Sequence, residues 1–154
     1  MLKTLDPQTL AFRDDVLKGL AASVPAIPAR WLYDLRGSEL FDDITRLPDY
    51  YPTRTETALL HDIMDDVAAR VPKGSAVVEF GAGSATKTPI LLEAIAPAAY
   101  IPVDISGDYL EQSARDLQRQ FPAVEVIPVV ADFARPFSLP GGIEGLPKLG
   151  FFPG

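Results

Sequence analysis

The run Ala76-Val77-Val78-Glu79-Phe80-Gly81-Ala82-Gly83-Ser84 decides how the rest of the chain reads. Ala76 to Phe80 is a short, mostly apolar segment stopped by glycine, which predicts a strand. Glycine at 81 and 83 permits positive φ and lets the backbone approach a bound group closely. From about Thr86 to Ile95 the apolar spacing becomes helical. Strand, glycine turn and helix are the first half of a crossover unit, and the sequence downstream supplies the rest. Ala99 to Val103 predicts a second strand ending in Asp104. Ser106 is placed to cap a helix running to about Phe121, with Leu110, Ala114 and Leu117 on one face. Val124 to Val130 predicts a third strand, ending in Ala131-Asp132-Phe133. After a loop rich in proline and glycine, Leu149 to Phe152 begins a fourth apolar run. Strands alternating with helices at this spacing predict right-handed crossovers and a parallel sheet. Such sheets usually have more strands, and an apolar edge strand is a liability. A chain stopping at Phe151-Phe152-Pro153-Gly154 therefore reads as truncated after about four strands, with self-association through the exposed fourth strand as a possible consequence.

Residues 1–73 have a different texture and predict an N-terminal helical segment, against an incomplete α/β domain over 74–154. Asp6-Pro7 gives an N-cap and first-turn proline, and Leu10, Val16, Leu17 and Leu20 recur at helical spacing. Pro25 and Pro28 close that helix. A second helix is expected from Ser38, as its cap, to about Leu47, with Leu40, Phe41, Ile44 and Leu47 inward. Pro48 to Pro52 predicts a loop. A longer helix capped by Thr53 or Thr55 ends before Pro72, with an apolar stripe of Leu59, Leu60, Ile63, Met64 and Val67.

The chain has 154 residues, 47% hydrophobic and 23% charged, enough for one globular core. Its formal net charge of -7 argues against a nucleic-acid partner. No apolar run has a membrane-spanning length, and the start MLKTLDPQTL lacks the apolar core of a signal peptide. With no cysteine and the single histidine His61, neither disulfide nor metal cluster is expected, and a cytoplasmic location is the simplest expectation.

Ligands of open parallel sheets bind beyond the carboxyl ends of the strands, where the strand order reverses. Gly81, Asp104 and Asp132 stand at three consecutive ends. A carboxylate at 104 can accept from two vicinal ribose hydroxyls. Asp132 can accept from an exocyclic adenine amine, while the Phe133 N–H reaches a ring nitrogen and its side chain packs on the base. The spacing from Gly81 to Asp104 would also suit a nicotinamide dinucleotide. Thr86 in place of that fingerprint's third glycine disfavours this reading. Glu79 does so too, because its charge would crowd a pyrophosphate, whereas it suits a cationic ligand. The bland alternative for Glu79 is an exposed strand residue. Lys87 is unusual beside a cation and calls for a carboxylate partner; its bland alternative is a solvated helix lysine.

Glu79-Phe-Gly-Ala-Gly83 resembles the first motif of class I S-adenosylmethionine (SAM) dependent methyltransferases. The upstream run Tyr33-Asp-Leu-Arg-Gly-Ser-Glu-Leu-Phe-Asp-Asp-Ile-Thr-Arg-Leu-Pro-Asp-Tyr-Tyr-Pro-Thr-Arg-Thr-Glu56 is more specific. It resembles the N-terminal signature of the histidine-specific methyltransferases, whose best-known members make trimethylhistidine (hercynine) for ergothioneine biosynthesis. The resemblance covers about Arg30 to Gly154. It implies a Rossmann-like class I fold, SAM as donor and the α-amine of histidine as acceptor. By position it implies that Gly81, Gly83, Lys87, Asp104, Asp132 and Phe133 hold SAM, with Tyr33 near its methionine end. The pair Tyr50-Tyr51 would border the amino-acid substrate, with the contacting member left open. Family members hold histidine with an asparagine soon after the fourth strand and with a later substrate domain, both beyond Gly154. The resemblance therefore implies the SAM-binding half of an N-methyltransferase, inactive alone, with no residue assigned as the base that keeps the amine neutral. The competing readings are a non-catalytic nucleotide-binding or interaction fragment and an NAD-binding domain.

Overall fold

The computed structural model describes residues 6–83 and 85–154; Ser84 and the first five residues, quoted above, lie outside them. Helix α1 (Pro7–Leu20) opens as its sequence predicts, with Asp6 accepting from the Thr9 N–H at 3.0 Å. A short 3-10 helix (Ala29–Leu32) follows, then α2 (Leu35–Thr45) and α3 (Pro52–Ala68). The remaining elements are β1 (Ala76–Phe80), α4 (Thr88–Ile95), β2 (Ala99–Asp104), α5 (Gly107–Gln120), β3 (Glu125–Val126), β4 (Val129–Val130) and β5 (Lys148–Phe151).

All pairings in the sheet are parallel, and the order is β3-β2-β1-β5, with β4 also on β2. The sequence thus builds outward on one side of β1 through β2 and β3, then returns to β1's other side with β5. That reversal between β1 and β5 is the switch point of a Rossmann-like α/β sheet. No strand pairs with the outer edge of β5 among the described residues.

Strand parity sets two cores. Val77 and Tyr100 point to one face, where Leu91 and Leu92 of α4, Leu60 and Met64 of α3, and Leu117 of α5 bury them. Ala76, Val78, Ala99, Ile101 and Val103 point to the other, covered by Phe137, Ile143 and Leu146 of the loop before β5. Apolar residues on both faces explain why β1 and β2 read as continuous hydrophobic runs.

Several expectations need correction. Helix α2 begins at Leu35, because Asp34 takes the cap position and accepts from the Gly37 N–H at 2.7 Å. Ser38, expected to cap it, is buried instead. At Gly37 the turn passes so close to the preceding chain that a Cβ would lie 1.7 Å from the Leu32 carbonyl oxygen. Helix α3 starts at Pro52 with Tyr51 as N-cap and no side-chain cap bond, so neither Thr53 nor Thr55 caps it. Ser106 holds the cap position of α5, but its side chain makes no cap bond. Helix α4 begins at Thr88 rather than Thr86. The third strand is two short pieces, since Pro128 cannot donate to the ladder, and between them the Ile127 N–H donates to Tyr100 O. Leu40, Phe41 and Ile44 of α2 and Leu47 just after it are exposed rather than inward, and on α3 so are Leu59 and Ile63.

Candidate active site

Backbone hydrogen bonds tie the strand tips together. Gly81 N–H donates to Val103 O at 2.8 Å, and Ala131 N–H donates to Asp104 O at 2.9 Å. The tips of β1, β2 and β4 consequently edge one cleft of about 410 Å³. The turn after β1 bends because residues 81, 83 and 85 all have positive φ. Two are the glycines that the sequence marks. The third is Ala85, which sequence reading had no reason to select.

The cleft brings together Tyr33, Gly81, Gly83, Lys87, Asp104, Asp132 and Phe133. Tyr50 and Tyr51 do not line it. Tyr50 packs edge-on against Phe41, at 6.2 Å between ring centres, and Phe41 lines the cleft. Tyr51 is 66% exposed. The two tyrosines, equivalent in sequence, are thus different in structure.

Asp104 braces the glycine turn. Its Oδ2 accepts from the Gly83 N–H at 3.1 Å and its Oδ1 from the Ser106 N–H at 2.9 Å. Each carboxylate oxygen has a second lone pair for an incoming hydroxyl. Asp132 accepts from the Ala134 N–H through Oδ1 at 3.1 Å and faces Arg135 and Arg30 through Oδ2. Phe133 leans over Gly81 within an edge-to-face group: its ring centre is 6.1 Å from Phe80 and 5.5 Å from Phe152.

Glu79 is 2% exposed, not a surface strand residue, and it lines the floor of the cleft. Tyr100 Oη and Thr88 Oγ1 both donate to its Oε2, at 2.7 and 2.8 Å. No bond to Oε1 is found among the described residues. Burial pushes the Glu79 carboxyl up to about 7 against those two hydrogen bonds. Burial and the neighbouring Glu79 also raise the Tyr100 phenol well above its ordinary value. A cation arriving at the cleft would favour the ionised form of Glu79.

Lys87 has the carboxylate partner that its position demands, and the partner is Glu56 of α3. The ammonium also donates to Gly154 O, while the Gly154 N–H donates to Glu56 Oε1 at 2.7 Å. Lys87 is 13% exposed, so it is not a solvated helix lysine. Burial works against the charged Glu56, yet the bonds from Lys87 and Gly154 outweigh it and hold the carboxyl below its usual value.

Three cleft residues carry no signal in the sequence reading. Asp42 of α2 accepts from the Tyr109 hydroxyl of α5, joining the helical segment to the sheet layer. Arg30, from the 3-10 helix, reaches the tip of β4. An i, i+4 apolar count cannot find such residues, because polar side chains reaching between elements leave no period. No group of three or more His, Asp or Glu side chains is arranged to hold a metal among the described residues, and no helix there is long and apolar enough to cross a membrane.

The sequence matches the family described as "Histidine-specific methyltransferase, SAM-dependent" over residues 12–154. The histidine N-alpha-methyltransferase of Mycobacterium tuberculosis (strain CDC 1551 / Oshkosh) is 39% identical over 132 residues, 83% of this chain and 41% of that protein. The histidine N-alpha-methyltransferase of Mycolicibacterium smegmatis is 38% identical over the same length, with the same coverage of each chain. The chain spans about 41% of the length of these curated relatives. A solved O-methyltransferase family protein from Burkholderia thailandensis is 17% identical, covering 79% of this chain and 35% of that one, with a TM-score of 0.41.

Proposed function

Because the chain belongs to the histidine-specific, SAM-dependent methyltransferase family, we propose that it forms the cofactor-binding portion of an enzyme that methylates the α-amine of histidine to give hercynine. The observation that carries this is the meeting of Gly81, Asp104 and Asp132 at one cleft, whose volume of about 410 Å³ falls in the range of small-molecule sites.

The residues fit the cofactor's chemistry part by part. Asp104 has acceptor capacity left for the two ribose hydroxyls. Asp132 and the Phe133 N–H match the donor and acceptor edge of adenine, and the Phe133 ring supplies an apolar surface. Glu79, buried against the cleft with no bond to its Oε1 among the described residues, suits the ammonium of the methionine part. Lys87 suits its carboxylate, which would compete with Glu56. Tyr33 borders the same end. Bound SAM supplies an electrophilic methyl group, and the chain's own residues orient it and keep water away. Transfer needs a neutral amine lone pair aligned with the methyl carbon, so the work is positioning and desolvation. Of the tyrosine pair, Tyr50 behind Phe41 is the better placed to border histidine. Histidine as the acceptor is supported by the two mycobacterial relatives.

Calorimetric titration with S-adenosylhomocysteine and, separately, with NAD tests the reading. Binding of S-adenosylhomocysteine without NAD is expected. Binding of NAD alone would overturn it.

A further inference from the structure

Arg30 belongs to no motif, yet it joins the N-terminal helix to the carboxylate at the tip of β4. Its Nη2 donates to Asp15 Oδ2 of α1 at 2.5 Å, and its Nη1 lies 3.6 Å from Asp132 Oδ2. Trp31 Nε1 donates to the same Asp15 oxygen at 2.8 Å. The guanidinium carbon also sits 5.1 Å from the centre of the Trp31 ring, and Phe12 packs edge-on against that ring. Arg30 is therefore gripped by an ion pair on one side and by an aromatic face on another. Its Nε is buried without a partner, so the outer nitrogens carry the attachment.

Asp132 has a second cation beside it. Arg135 Nε is 3.4 Å from the same Oδ2 that faces Arg30, but the Arg135 side chain is 68% exposed and that of Arg30 only 28%. The two guanidinium groups compete for one oxygen. Arg30 lines the cleft, and Arg135 does not. Whichever prevails fixes how the carboxylate faces the cleft.

We propose that Arg30 is a positioning residue for the cofactor: anchored by Asp15 and Trp31, it holds Asp132 at the cleft wall, so that the N-terminal helix forms part of the adenine subsite. This rests on the reading of Asp132 as the acceptor for the exocyclic amine of adenine. Without Arg30, the carboxylate turns toward Arg135 and the amine loses its acceptor. The loss is specific to that edge of the base. S-inosylhomocysteine, which presents a carbonyl oxygen where adenine presents the amine, has no such bond to lose.

Titration of wild type, Arg30→Gln, Asp15→Asn and Asp132→Ala with S-adenosylhomocysteine and S-inosylhomocysteine tests the proposal, with thermal melting to confirm folding. Arg30→Gln is expected to weaken S-adenosylhomocysteine about tenfold, the scale of one lost bond to a charged group. It is also expected to narrow the preference over the inosine analogue. Asp15→Asn, which loosens the anchor outside the cleft, should narrow that preference in the same direction and serves where Arg30→Gln does not fold. Arg30→Lys should recover part of it. Equal weakening of both ligands means a merely structural role and overturns the proposal. So does an unchanged preference in Arg30→Gln and Asp15→Asn when Asp132→Ala has lost it. If Asp132→Ala itself keeps the preference, the adenine assignment fails first and the proposal with it.

Discussion

Tyr100 Oη donates a 2.7 Å hydrogen bond to Glu79 Oε2, linking residues on adjacent strands that are 0% and 2% exposed. The parallel register explains the reach. Tyr100 is paired with Val77, and Glu79, two residues further along β1, points to the same face. Burial of this carboxyl beside two hydroxyl donors disfavours its charged form. Unfolded glutamate ionises near 4.5, whereas burial raises the folded group to about 7, with Lys87 opposing and Asp104 adding to that rise. Between those values the folded state holds the extra proton. The contribution of Glu79 to stability is therefore fully present below about 4.5 and is lost as pH rises to about 7. The expected loss is on the order of 3 kcal/mol at most. Urea unfolding across that window should show wild type falling relative to Glu79→Gln. Parallel profiles for the two proteins would remove Glu79 as the titrating group.

Gly81 has φ of +69°, and a Cβ there would lie 3.7 Å from Phe133 and 3.8 Å from Phe152. Those are ordinary contacts, so alanine would be strained by the backbone rather than by a clash. Gly81→Ala is expected to cost about 1–2 kcal/mol and to lower the melting temperature by a few degrees. Gly145, with open space at its Cβ position and no positive φ, is the control. Equal melting temperatures for Gly81→Ala and Gly145→Ala would show that the turn tolerates a side chain.

Much of the sheet is legible in the sequence because parallel strands buried on both faces announce themselves as apolar runs, and because their tips must face one way. Gly81, Asp104 and Asp132 come together for that reason alone. The burial of Glu79 is not legible, since a charged residue in a strand gives no sign of which face receives it or of the Thr88 and Tyr100 hydroxyls waiting there. Ser38 suits a cap by residue type, but Asp34, one helical turn earlier, takes the position by accepting from the Gly37 N–H. Arg30 and Asp42 escape notice because their partners, Asp132 and Tyr109, lie about 67–102 residues away in sequence. The apolar surface of α2 misled because periodicity identifies a stripe without saying what covers it.

The ion pair of Glu56 with Lys87 fastens α3 to the segment that leads into α4. The side chains are 27% and 13% exposed, between a surface pair and a buried one. Lys87→Met should therefore cost about 1–2 kcal/mol at neutral pH, since the carboxylate keeps only the Gly154 N–H. The folded Glu56 carboxyl lies below its usual 4.5, so its contribution is present above that value and disappears as pH falls through the folded one. The gap in urea midpoint between wild type and Lys87→Met should accordingly close in acid. A gap of unchanged size near pH 3 would assign the loss to packing of the lysine stem instead.

Asp104 has two tasks that one substitution would confuse: it braces the turn through the Gly83 and Ser106 N–H groups, and it is the proposed acceptor for ribose. Asp104→Ala removes both. Loss of two charge-assisted bonds predicts a fall in S-adenosylhomocysteine affinity of about a hundredfold or more. Loosening the turn would also weaken binding, and faster amide exchange at Gly83 would report it. A ligand-side change separates the two tasks. The 2′-deoxy analogue of S-adenosylhomocysteine lacks one hydroxyl, so wild type should bind it more weakly than the parent. Once Asp104 is alanine, that difference should vanish, because the hydroxyl has lost its partner. If Asp104→Ala still prefers the parent ligand by the wild-type margin, the ribose is held elsewhere and Asp104 serves only the turn.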